Sequence, residues 1–147
     1  PQNAESALKI AIDAPPPPPA EPIQPTPYEP EPPKYQWHNP EAARHSARVI
    51  MDEYNLLWKE KDLLCDIIQC ESGFNPNAKR INNPASIDRG LFQINNYWHP
   101  LITDEMAYDP EFSVRWACKA LKNKQIKTFW SASIGCWNKD GKYNVMI

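Results

Sequence analysis

Glu71 and Asp88 stand seventeen residues apart, on either side of a polar, turn-rich segment. Glu71 closes the apolar run LLCDIIQC and is followed by Ser72-Gly73-Phe74-Asn75-Pro76, where glycine and proline stop a helix. At about 100° per residue, Leu64, Ile67 and Ile68 lie about 20°, 40° and 60° from Glu71, so the acid is centred on the apolar stripe. Desolvation by those neighbours and the negative end of the helix dipole both raise a carboxyl pKa. A carboxyl kept protonated near neutral pH is a general acid. A helix end frayed into water would instead leave Glu71 an ordinary solvated acid. Asp88 directly precedes RGLFQIN. It reads either as the second carboxylate of a catalytic pair or as a turn residue bonding nearby backbone N–H groups.

Positioning these groups requires helices, and the sequence punctuates them clearly. Asn39 can cap a first helix opening at Pro40, with Glu41 in the first turn. A second helix is expected over roughly 60–72. The segment NPNAKRINNPASIDRG reads as turns, leading into a short strand-like run from Leu91 to Ile94. Asp109 and Pro110 open a third helix whose apolar stripe is Val114, Ala117, Cys118 and Leu121. A last short helix is expected over about 128–137, with Trp130, Ile134 and Trp137 on one face.

Thirteen of the 17 prolines fall in residues 1–40. That composition cannot form a packed core, so residues 1–38 are expected to be a disordered, semi-rigid proline-rich linker preceding a domain at 39–147. The net charge of −2 points to no nucleic acid and to no strongly anionic partner. No window approaches 18 apolar residues, so no membrane segment is expected within the chain. Pro1 in place of an initiator Met is read as an upstream segment removed or not included, a signal peptide or a membrane anchor.

Four cysteines occupy positions 65, 70, 118 and 136. Cys65 and Cys70 should share one helix about 140° apart, which bars a bond between them. Two bridges are expected, each joining one of them to Cys118 or Cys136, in an oxidising compartment; the alternative is four reduced core thiols. No cysteine or histidine spacing suits zinc, and no metal or cofactor is expected.

ESGFNPNA followed by GLFQI resembles the soluble lytic transglycosylase pattern of the lysozyme-like superfamily. The E-S-x-F-N and D-x-G-x-x-Q-I-N segments, at this separation, are similar to c-type lysozymes. YDPEFSVRWACKAL resembles a transglycosylase helix, and ASIGCWN sits where that family has A-L-A-A-Y-N-A-G. The resemblance covers roughly 60–138. It implies a mainly α, α+β lysozyme-like fold with a small β element beside a catalytic cleft. It implies a peptidoglycan-cleaving enzyme acting on the MurNAc–GlcNAc β-1,4 bond, a lytic transglycosylase with one catalytic glutamate. The alternatives are a hydrolytic lysozyme using Glu71 with Asp88, and an inactive glycan-binding module. The resemblance carries the acid to Glu71 and the second carboxylate, if there is one, to Asp88. It gives Gln93 a hydrogen bond to a sugar N-acetyl group or a part in orienting substrate, and Trp137 and Asn138 the aromatic and amide places of Y-N. Lys139 and Asp140 depart from the family's Ala-Gly, and the cysteine positions do not reproduce the c-type set, so no disulfide is carried over. Ser72 is a candidate to position the acid or a water, and Tyr97 and Trp98 to stack on sugar rings. The expected partner is the glycan strand, the expected state a monomer, and the expected location extracytoplasmic: cell envelope, secreted or virion-associated.

Overall fold

A computed structural model of the protein describes residues 33–147. The proline-rich reading falls mainly on residues outside the described part. The fold is mostly helical with one three-stranded antiparallel sheet. In chain order it runs α1 (Pro40–Glu53), α2 (Trp58–Ser72), β1 (Lys79–Asn83), β2 (Ser86–Arg89), β3 (Ile94–Asn95), α3 (Asp104–Tyr108), α4 (Pro110–Lys122), α5 (Ile126–Phe129) and α6 (Ile134–Trp137). Two 3-10 turns, Ser131–Ser133 and Lys139–Gly141, complete it.

The helix starts follow the expected chemistry. Asn39 Oδ1 accepts from the Ala42 N–H at 2.8 Å, and Asp109 Oδ1 accepts from the Glu111 N–H at 2.9 Å, each with proline at the first helical position. Helix α1 packs on both α2 and α4, and α2 packs on α6. The core between them includes Ile50, Met51, Leu64, Ile67, Ile68, Val114 and Trp137, all essentially buried. Residues 34–37, within the segment expected to be linker, lie against this core. Tyr35 and Trp37 pack on it, the Gln36 N–H donates to Ser46 Oγ at 2.7 Å, and Ser46 returns a bond to the Gln36 carbonyl.

The β element differs from the sequence expectation. Two of its strands lie in 79–89, where turns were expected, and of Leu91–Ile94 only Ile94 is in a strand. All five β1 residues are exposed, so no apolar alternation marked the strand. Leu91 to Gln93 instead form a turn between positive-φ residues, Gly90 at +73° and Gln93 at +50°. A Cβ on Gly90 would lie 2.1 Å from the Ala107 carbonyl oxygen, so only glycine lets this turn seat on α3. The expected final helix is broken into α5, a 3-10 turn and α6, because Trp130 leaves helical geometry at φ −119°, ψ 33°. Helix α3, capped by Thr103, was not anticipated.

The cysteines also depart from expectation. One bridge forms, Cys70–Cys136, and Cys65 and Cys118 are buried thiols. The rotation that keeps Cys65 and Cys70 apart explains this. Cys70 turns toward α6, whereas Cys65 turns toward α1, with its Sγ 3.9 Å from an Arg48 guanidinium nitrogen. Only one of the two cysteines faces a partner.

Candidate active site

Helix α2 ends because Gly73 and then Phe74 take left-handed backbone, at φ 60° and 64°. Gly73 donates back to the Ile68 and Gln69 carbonyls, and Phe74 buries its ring in the core. That stop leaves Glu71 in the last turn, half-buried, at the wall of a cleft of about 690 Å3. Phe92 and Trp130, stacked at a tilt with ring centroids 5.4 Å apart, form part of the same wall. Burial pushes the Glu71 carboxyl above its ordinary value, and a nearby Asp88 charge adds to this. A hydrogen bond from the Ser133 hydroxyl and the positive charge of Arg80 oppose the rise without cancelling it.

The opposite wall is the sheet. Arg80, Asp88 and Asn95 are direct register partners across β1, β2 and β3, so their side chains stand in one row on one face. Asn82 sits where the β1–β2 register breaks between Ile81 and Asn83, and its side chain still reaches Asp88. The consequence is a carboxylate with both oxygens occupied. Asp88 Oδ2 accepts from Arg80 Nε at 3.0 Å and Asn82 Nδ2 at 2.9 Å, and Oδ1 accepts from Asn95 Nδ2 at 2.6 Å. Burial alone would push this carboxyl up, but the donors outweigh it and hold Asp88 below its ordinary range. Two acids lining one cleft are therefore driven apart, one toward the neutral form and one toward the ionised form.

The remaining expected site residues are distributed around this centre. Gln93 lines the cleft and is held by its own side chain, Nε2 donating to the Ala78 and Gly90 carbonyls at 3.1 and 2.9 Å. Trp98, 74% exposed, also lines it, whereas Tyr97 lies outside the lining and packs edge-on against Trp98. Ser72 does not line the cleft; its hydroxyl donates to the Leu91 carbonyl at 2.8 Å, tying the end of α2 to the β2–β3 turn. Trp137 is buried beneath the site with its indole N–H on the Trp130 carbonyl at 3.0 Å. Asn138 accepts from the Tyr143 N–H at 2.7 Å and holds the C-terminal turn. His99 lines the cleft and packs edge-on against Trp116 and Phe129. Four residues of the site were missed from sequence: Arg80, Asn82, Asn95 and Ser133. Reading 79–83 as a strand would have paired Arg80 with Asp88, whereas Asn82 lies at a register break that the sequence does not mark. Ser133 lies within ASIGCWN, but nothing in that motif points to a contact with Glu71, 62 residues earlier.

Among the described residues no His, Cys, Asp and Glu cluster suits a metal, and no helix is long and apolar enough to cross a membrane.

Residues 65–132 match the family described as a lysozyme like domain. Over 95 residues the chain is 33% identical to Protein IpgF of Shigella flexneri, and equally to Protein IpgF of Shigella sonnei. The aligned region is 63% of this chain and 60% of each relative, so the chain spans about three fifths of the relatives it matches. No solved structure matched.

Proposed function

Starting from a lysozyme-like domain within residues 65–132, we propose that this protein is a peptidoglycan lytic transglycosylase acting on the MurNAc–GlcNAc β-1,4 bond, with Glu71 as its catalytic acid and base. The observation that carries the reading is the contrast in the cleft. Glu71 is desolvated with a raised pKa, while both Asp88 oxygens are engaged by Arg80, Asn82 and Asn95. A carboxylate so engaged is a poor nucleophile but a fixed negative charge near a developing cation.

Glu71 donates its proton to the bridging oxygen, and the bond from that oxygen to MurNAc C1 breaks. The oxocarbenium-like centre that forms is stabilised by the ionised Asp88. The Glu71 carboxylate then takes the proton from the C6 hydroxyl as O6 bonds to C1, closing a 1,6-anhydro ring. No water is consumed, and Glu71 ends protonated as it began. In this scheme Gln93, its N–H groups committed to Ala78 and Gly90, presents its oxygen to an N-acetyl N–H. Trp98 offers an exposed indole face for a sugar ring. A disulfide and a wall polymer as substrate both suit an extracytoplasmic location.

One observation favours a second reading. Asp88 is ionised and lines the same cleft as Glu71, which is the charge arrangement of a hydrolytic two-carboxylate enzyme. Mass spectrometry of digested peptidoglycan separates the two, because hydrolysis adds one water and leaves a reducing end. Anhydro-terminated products from wild type and none from Glu71→Gln are expected. Reducing-end products would establish the hydrolase, and the absence of any cleavage by wild type would leave a glycan-binding module.

A further inference from the structure

The disulfide and the Ser133–Glu71 hydrogen bond join the same two pieces of chain. Cys70 directly precedes Glu71 in the last turn of α2, and Cys136 follows Ser133 by three residues. A covalent link and a hydrogen bond thus run in parallel between the end of α2 and the 131–137 segment. Ser133 sits in the short 3-10 turn between α5 and α6, a piece too short to hold its own conformation. Its hydroxyl lies 3.4 Å from the Trp130 carbonyl as well as against Glu71 Oε1. Cys136 is exposed and Cys70 half-buried, so the bridge can be approached from solvent.

We propose that Ser133 and the Cys70–Cys136 disulfide form a clamp that positions the Glu71 carboxyl, and that a dithiol reductant opens it. The inference rests on the reading of Glu71 as the acid. Opening is thiol–disulfide exchange: the reductant's two thiols become a disulfide, and Cys70 and Cys136 each gain one hydrogen. The fold does not depend on the bridge alone at this point. Trp137 is buried with its indole on the Trp130 carbonyl, and the Trp130 indole is itself bonded to the Phe92 carbonyl at 2.9 Å. Reduction therefore loosens Ser133 against Glu71 while the aromatic anchors stay in place.

The direction of the effect follows from the groups facing Glu71. Arg80 faces it from β1, Asp88 from β2 and the Ser133 hydroxyl from the 3-10 turn, with His99 on the same cleft lining. Of these, the hydroxyl and Arg80 favour the carboxylate. Losing the hydroxyl leaves a weaker and less well oriented acid.

The test compares pH profiles of the full chain on soluble peptidoglycan fragments for wild type, Ser133→Ala and Ser133→Thr, each with and without dithiothreitol. Ser133→Ala is expected to lose about tenfold in plateau kcat, with KM within about twofold and the alkaline limb moved to higher pH. Ser133→Thr, which keeps a hydroxyl, should recover most of the loss. Reduced wild type should reproduce the Ser133→Ala profile, and reduction should add nothing to Ser133→Ala. A Ser133→Ala profile superimposed on wild type overturns the clamp. So does a reductant effect equally large in both proteins, or unfolding by circular dichroism on reduction. Titration of the Glu71 carboxyl by carbon-13 NMR reads the clamp without turnover. An upward move in Ser133→Ala with no peptidoglycan cleaved by wild type upholds the clamp and overturns the proposed reaction. Cleavage with an unmoved titration does the reverse.

Discussion

The two walls of the cleft treat the same functional group in opposite ways. On the helical wall Glu71 has apolar neighbours and one hydroxyl donor, and burial lifts its pKa. On the sheet wall Asp88 has a guanidinium and two amides, and they hold its pKa down. The difference comes from secondary structure. A helix end surrounded by core side chains offers a carboxyl little but desolvation, whereas the strands paired on either side of Asp88 bring donors alongside it. The opposite tendencies of the two carboxyls, one toward the neutral form and one toward the charged form, are thus set by the backbone that carries each.

The sharpest way to break the contrast is to remove the proton. Glu71→Gln preserves shape but cannot donate to the leaving oxygen, and a loss of about 10²–10⁴ in kcat is expected. Activity within about threefold of wild type, measured on purified glycan strands, would end the assignment. Next comes the turn that seats the sheet wall. Gly90→Ala must move the Ala107 backbone or abandon a left-handed turn, so a destabilisation of roughly 3 kcal/mol or more is expected in urea unfolding.

Asp88→Asn tests whether the sheet wall supplies only charge. Less than about tenfold loss in kcat, with anhydro products retained, is expected; a loss of several hundredfold with reducing-end products would make Asp88 a partner in hydrolysis.

Stability should report the same opposition with opposite signs. Glu71 has a folded pKa above its ordinary 4.5, so as pH rises through that window the unfolded chain releases the proton first and the fold weakens. Asp88 has a folded pKa below its ordinary 3.8, so its contribution is present above that value and lost as pH falls through the folded one. Thermal midpoints across pH 3–7 should accordingly flatten on the alkaline side in Glu71→Gln and on the acid side in Asp88→Asn. The smallest effect is expected at a residue that does not line the cleft. Trp37→Ala removes a half-buried ring from the residues preceding α1 and should cost about 1–2 kcal/mol in urea unfolding, with kcat unchanged.

What could be read from the sequence tracks the same division. The helical wall was legible because Asn39-Pro40 and Asp109-Pro110 are start signals and Gly73 is a stop. The placement of Glu71 on the apolar stripe followed from a period of 3.6 residues. The small β element was expected from the family resemblance, but its first two strands were not legible, because a hairpin exposed on β1 has no hydrophobic period, and KRINNPASIDR looks like turns. The residues that restrain Asp88 were hidden with it. The break at Trp130 was also invisible, since the apolar spacing of Trp130, Ile134 and Trp137 is helical although the backbone between them is not continuous helix. Cys65 and Cys118 look like the other two cysteines until the facing of each helix is known.

The Cys70–Cys136 bond spans 66 residues, and every residue that lines the cleft, from Glu71 to Ala132, lies inside that covalent ring. Its most exposed arc is the β1–β2 hairpin around Asn82 to Ala85, where a protease finds accessible backbone. A single cut there opens the ring but cannot release a fragment. The nicked protein would run as one piece without reductant and as two with it, its cleft walls still joined through sulfur.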